Sequence, residues 1–375
     1  MAERGTKVKR NEAATRRPRQ PRRTGEPVKP VVRRARADGR DQWVLENAFC
    51  RVTVWPEQGG AITAYEDRAS GLDIIWRNPC VPPTRARTLD QPTGGGSDLY
   101  DVMDGSWYVS LPNGFFAGDY FGAPLGTHGE LRCVPWAVTT VAATRDEVRL
   151  TLAGSSVRTP LVYVRELRLT RTSPRLEWRE TLRNRWHRPL PVAWLHHPTW
   201  GGPLLDGARL VTPARTVSVF QADDPAALQL EAGFRGAWPW VRERAGGAMR
   251  DCSLIPPAGA RRGHSVQLAE FPAGWGAVWN ERRGLGFGIE WDPAVFPYAW
   301  SWCCSGDVEG YPLWGEGHII TLQPSTSPVG RWPDLLRAGA VLTVPARGEV
   351  TTTLTTGFVT TADGPWPAAD GGGAR

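Results

Sequence analysis

The chain has no apolar run approaching the ~20 residues that a membrane span needs, and it opens on charged residues where a secretory leader requires an apolar stretch. No membrane partner and a cytoplasmic location are therefore expected. Cysteine is sparse: six residues, at 50, 80, 133, 252, 303 and 304, scattered and without a Cys-x-x-Cys pair. That excludes a disulfide scaffold and points to buried reduced thiols. The adjacent Cys303 and Cys304 lie in an aromatic run, where a free thiol behaves as a small hydrophobe. Helical periodicity is missing except for short turns at Pro225 to Ala232 and Trp332 to Arg337, and no fixed repeat argues for a propeller.

Residues 1–40 lack large apolar side chains almost entirely, so they cannot bury enough surface to offset the entropy of ordering. They read as a disordered basic tail, with 14 Lys/Arg against 4 Asp/Glu. The remaining residues carry 31 against 34, so the overall +7 belongs to the tail and the rest offers no general polyanion surface. Nucleic acid is a conceivable partner of the tail alone, through salt-dependent phosphate contacts; a solvated extension is the plainer reading. Residues 361–375 read as a second disordered tail.

What is present is β-pattern. A hydrophobic fraction of 41% with 19 Trp is ample for a large core, and 42 Gly with 33 Pro implies many turns. In Leu161 to Leu169, residues Leu161, Tyr163, Leu167 and Leu169 share one strand face; Leu176, Trp178 and Leu182 repeat the signal after a turn at Ser173-Pro174. Further strands are expected at Arg51 to Trp55, Val148 to Leu152, Ala273 to Asn280, Leu285 to Trp291, Ile319 to Leu322 and Glu349 to Thr356. The predicted architecture is an all-β antiparallel sandwich over residues 41–360. Gln91 to Ser97 is a Gly-rich loop, and Met103 to Pro124 is an irregular aromatic segment of the kind that forms binding loops.

Three segments concentrate chemistry: Gly126 to Trp136, Trp194 to Gly202 and Leu322 to Pro328. The first holds His128-Gly129-Glu130 and then Pro135-Trp136; the second holds His196-His197-Pro198 with Gly201. Phe296-Pro297-Tyr298 with Trp300 and Trp302 follows, and then Leu322 with Pro324 to Ser327. In that order these motifs resemble the galactose mutarotase (aldose 1-epimerase) superfamily, in its epimerase-like branch, across some 320 residues.

The resemblance implies an antiparallel β-supersandwich, a small-molecule sugar as ligand and no cofactor. It implies interconversion of anomers: a base takes the anomeric hydroxyl proton while an acid protonates the ring oxygen, and the ring opens and recloses. His197 matches the acid and His128 the second, substrate-polarising histidine; an imidazole suits proton exchange near neutrality. Where relatives carry Leu-Glu-Pro-Ser-Thr, this chain has Gln323, and a carboxamide is no proton acceptor near pH 7. Either another carboxylate serves, with Glu316 preferred to Glu290, or the site binds sugar without turnover. Glu130, His196, Trp200, Trp302 and Gln323, with His128, are the candidate sugar contacts. A metal at His196-His197 is not expected, because neighbours on a strand point to opposite faces. A carbohydrate lyase or hydrolase module is the third alternative and would need two convergent carboxylates. The absence of a basic cluster in the folded part favours a neutral sugar.

Overall fold

Period-two burial turns these strand sequences into two sheets packed face to face. A computed structural model of the chain describes residues 28–37, 39–81, 104–220 and 229–360. Among them, a twelve-stranded sheet runs in the order Val31–Ala37, Arg40–Glu46, Cys50–Trp55, Ala61–Asp67, Trp107–Ser110, Leu195–Pro198, Gln323–Ser325, Tyr298–Ser305, His264–Ala269, Thr216–Ser218 and Arg235–Ala237. His318–Ile320 pairs beside Tyr298–Ser305. An eight-stranded sheet runs Arg209–Val211, Trp275–Asn280, Leu285–Trp291, Glu349–Val359, Arg175–Asn184, Leu161–Thr170, Glu147–Ser155 and Ala137–Ala143. The pairings within both sheets are antiparallel.

The hairpin read from the sequence is there, with Leu169 opposite Leu176 and Leu161 opposite Asn184. Its inward residues interlock with the large sheet: Trp178 lies 5.0 Å from Trp107 between ring centroids. Nearby, Tyr65 of the large sheet meets Phe287 of the small one edge-on at 4.8 Å. The Tyr65 hydroxyl donates to Thr356 O and Trp178 Nε1 to Thr356 Oγ1, so the polar edges of these rings are satisfied within the core.

Several expectations need correction or fall outside the described residues. The basic tail was expected to reach residue 40, but Val31–Ala37 forms an edge strand in full register with Arg40–Glu46. Its stability comes from backbone pairing with little apolar burial, so hydrophobicity alone could not reveal it. Residues 1–27 and 361–375 and the Gly-rich loop at 91–97 lie outside the described residues. So does half of the turn expected at 225–232, whose Leu230 makes a β-bridge with Glu243. The other turn is a helix, Trp332–Ala338, closed by Gly339 in the left-handed conformation. The irregular 103–124 segment contains the strand Trp107–Ser110 and the small hairpin Gly118–Tyr120 with Ala123–Leu125.

Candidate functional site

Register decides which side chains share the face of the large sheet that is turned away from the small one. His197 is opposite Tyr108, Leu195 is opposite both Ser110 and Ser325, and Trp300 is opposite Gln323. Directly opposed residues of antiparallel strands lie on one face. Tyr108, Ser110, His197, Trp300, Gln323 and Ser325 therefore share the outer face, while Trp107 and His196 enter the core.

His128 reaches this face from a loop. Its own φ is +64°, and Gly129 follows at +71°, where an added Cβ would sit 1.8 Å from Leu111 O. Only glycine fits there, which explains the His-Gly step of the motif in physical terms. Glu130 N then bonds Leu111 O, and His128 N bonds Phe115 O, locking the loop.

The two imidazoles meet edge to face, 4.7 Å apart between centroids. His197 stacks on Tyr108 at 4.6 Å with an interplanar angle of 10°, and the Arg132 guanidinium lies 4.0 Å over the same tyrosine ring. Ser110 Oγ lies 3.1 Å from His128 Nδ1 and donates its own proton to Gly114 O. With its single proton so used, the serine oxygen accepts from Nδ1–H, which leaves His128 Nε2 as the bare acceptor. Burial first, and then the Arg132 cation, push His197 down to about 3. Burial, His197 and Arg132 likewise push His128 well below the ordinary histidine range. Both are neutral imidazoles at pH 7.

Gln323 is buried; its Nε2 donates to Thr321 Oγ1, and its Oε1 has no partner among the described residues. Phe115 packs edge-on against His128 at 4.8 Å and against Trp300 at 4.2 Å between ring centroids. A void of about 20 Å³, room for one water, lies beside Phe115 and Trp300; neither histidine lines it.

Other candidates are placed elsewhere. His196 points into the core, its Nε2 2.8 Å from Glu180 Oε2, among Trp107, Trp178, Trp194 and Phe296. Trp200 is also core, 5.6 Å from Phe287 of the small sheet, and is no pocket wall. Glu130 is fully engaged, accepting from the N–H groups of Val157 and Arg158 and from the Thr159 hydroxyl. It holds the turn before Leu161.

Glu316 is exposed in the connection before His318. Since His318 is opposite Ser305 and Gln323 is opposite Trp300, it lies beyond five strand residues, roughly 16 Å along the sheet. Glu290 is on the small sheet, beside Arg175. Trp302 shares the outer face with Trp300 but packs with Trp76, Cys304, Leu313 and Ile319.

Of the residues singled out in the sequence, the structure brings His128, His197 and Gln323 to one face, together with Tyr108, Ser110, Phe115 and Arg132, which the sequence did not single out. Trp300, quoted in the Phe296 to Trp302 motif, lies opposite Gln323.

No protein-family model matches the chain, and no curated protein matches it. Solved structures do. A galactose mutarotase-like protein from Clostridium acetobutylicum aligns with a TM-score of 0.63 at 11% identity, covering 89% of this chain and 99% of its own. A structure titled as an aldose 1-epimerase candidate, from Klebsiella pneumoniae, aligns with a TM-score of 0.65 at 18% identity over 87% and 81%. The Slr1438 protein from Synechocystis gives 0.59 at 15% over 90% and 99%. The chain therefore has the nearly all-β, antiparallel galactose mutarotase-like fold. At these identities the likeness is one of fold, and activity must be argued from the site.

Proposed function

We propose that this protein recognises a neutral sugar on the outer face of the large sheet, at His128, His197 and Gln323, without opening its ring. The observation that carries the reading is the electrostatic character of the pair. Anomer interconversion needs an acid with a proton to give and a base to receive one. An imidazole held at about 3 is almost wholly unprotonated at pH 7, and the charged group acting on both rings is Arg132, a cation. Gln323 stands where the resemblance calls for a carboxylate. Glu130, Glu316 and Glu290 are each occupied or placed elsewhere.

The same groups suit recognition. His128 Nε2 and Gln323 Oε1 are acceptors for sugar hydroxyls, and Trp300 supplies aromatic surface. Binding requires Phe115 to swing aside. Calorimetric titration with a hexose panel, in parallel with polarimetry, tests the reading. Saturable binding without accelerated mutarotation is expected; acceleration over buffer would make the protein an epimerase, and a panel without any binder would end the sugar reading.

A further inference from the structure

At one end of the small sheet four strands stop level with one another: Ser155 is opposite Val162, Val162 opposite Arg183, and Arg183 opposite Glu349. Three connections leave from this end, at 155–161, 184–190 and 344–349. The hairpin Gly118–Tyr120 with Ala123–Leu125 lies beside them, since Arg158 Nη1 donates to Pro124 O. One buried amide fixes the arrangement. Asn184 Oδ1 accepts from Trp186 N, its Nδ2 donates to Arg188 O and Pro345 O, and Arg347 N donates to Trp186 O.

This end is cationic. Its connections and hairpin carry Arg158, Arg183, Arg185, Arg188 and Arg347 against Asp119 and Glu349. Glu349 already pairs with Arg183, and the other four arginines make no ion pair among the described residues. The near balance of charge over residues 41–375 conceals the cluster, because folding gathers it from separate stretches of sequence. The same end also exposes apolar tips. Val157 is 71% exposed and Phe121 61%. Phe121 is held out at φ +52°, a conformation costly for a residue with a side chain, and half-buried Trp186 stands behind it at 5.9 Å.

Apolar tips ringed by arginines, with a tryptophan at the boundary, match the surface of an anionic bilayer. Apolar side chains enter the headgroup boundary, and guanidinium groups on long stems reach the phosphates and carboxylates around them. A hollow of about 430 Å³ beside Arg183, Arg185 and Arg347 gives a headgroup room. Single-stranded nucleic acid would use the same charge but needs open ring faces for its bases. Here the Arg188 guanidinium lies over Trp186 at 5.8 Å, and Phe121 meets Tyr120 and Trp186 edge-on. We propose that this end of the sandwich docks reversibly on an anionic lipid surface, with Phe121 and Val157 entering it and Arg158, Arg185, Arg188 and Arg347 holding the headgroups.

The lack of a long apolar run argued against a membrane partner, but docking on a surface needs no span: among the described residues no helix is long and apolar enough to cross a membrane. Docking is independent of sugar recognition at the histidines.

The test is co-sedimentation of the full chain with vesicles of phosphatidylcholine alone and of phosphatidylcholine mixed equally with phosphatidylserine, at low and high salt. Wild type is expected to pellet with the mixed vesicles only, and salt should release it. Arg185→Gln combined with Arg188→Gln is expected to weaken binding about twenty-fivefold, roughly fivefold per arginine. Phe121→Asn, which tolerates the positive φ, should weaken it about tenfold. Arg209→Gln combined with Arg235→Gln removes the same charge from exposed positions elsewhere. That pair is expected to change binding less than about twofold, which separates docking from attraction by the basic residues 1–27. No pelleting with the mixed vesicles, equal losses in the two arginine pairs, or undiminished binding by Phe121→Asn overturns the proposal. Binding of an oligothymidylate in place of vesicles, lost with Arg185→Gln and Arg188→Gln, would overturn it in favour of a nucleic-acid surface.

Discussion

Glu180 Oε2 lies 2.8 Å from His196 Nε2, joining the small sheet to the large one where both side chains are fully buried. The two atoms make a close polar contact without hydrogen-bond alignment. The other carboxylate oxygen accepts from Arg165 Nε at 2.7 Å, and Arg165 Nη1 donates to Gly60 O. Burial alone would raise the Glu180 carboxyl; His196 and Arg165 outweigh it and hold it at about 2.

Removing one member of such a buried set leaves the others uncompensated. Glu180→Gln should therefore cost about 3–5 kcal/mol of stability, read as a lower urea midpoint. A change under about 1 kcal/mol would mean that the tie does not hold the sheets together. Because His196 and His197 are neighbours on one short strand, the same variant should also weaken sugar binding at the histidine pair.

Gln323→Glu tests the assignment of a binding role directly. Extending the Leu195–Ser325 register by two residues brings position 323 across from His197 on the same face. A carboxylate there favours the protonated imidazole, so His197 should rise from about 3 toward the ordinary histidine range. NMR titration of the imidazole C–H signals should show an upward move of a unit or more, and polarimetry should detect mutarotation absent from wild type. An unmoved titration would mean that position 323 does not govern the histidines.

Phe115→Ala should open the site. The ring occupies the space over His128 and against Trp300 and is only partly buried, so truncation should cost on the order of 1–3 kcal/mol, less than for a full core aromatic. Hexose affinity should rise several-fold, because the ligand no longer has to displace the ring. A fall in affinity would recast Phe115 as a wall that the sugar packs against.

Strand alternation made the sandwich legible, because inward Leu, Tyr and Trp at every second position leave one packing solution. It also hid something. Arg165 and Glu180 occupy inward positions of the same two runs, directly opposite one another, and a search for apolar periodicity passes over them. A charge at an inward position with an opposite charge at its cross-strand partner was the available signal.

Of the site, the residues on named motifs were legible, but their roles were not. His196 and His197 look alike in sequence, and strand geometry sends one into the core and the other to the surface face. Glu130 resembles a ligand-binding carboxylate until its three donors from 157–159 are seen, 27 and more residues away. Tyr108, Ser110 and Phe115 come from a segment without alternation, and their position depends on long-range pairing that no local pattern encodes.

The buried histidines set the acid limit of the fold. His197 and His264 are each pushed down to about 3, by burial first and then by Arg132 and Arg250 respectively, and His128 is pushed down as well. A folded-state value below the unfolded value of about 6.5 means that the unfolded chain binds more protons in between. Stability from keeping these rings neutral is therefore complete above pH 6.5 and is lost as the pH falls toward 3. By linkage His197 and His264 are each worth roughly 5 kcal/mol over the whole window, comparable with the total stability of a domain, so unfolding should precede pH 3. Glu180 adds its loss only below about 4.5, so the first decline belongs to histidine. The melting temperature should begin to fall just below pH 6.5 and drop steeply by pH 5, and His264→Asn should flatten that slope. A melting temperature constant from pH 7 to 5 would mean that these rings protonate in place without unfolding the sandwich.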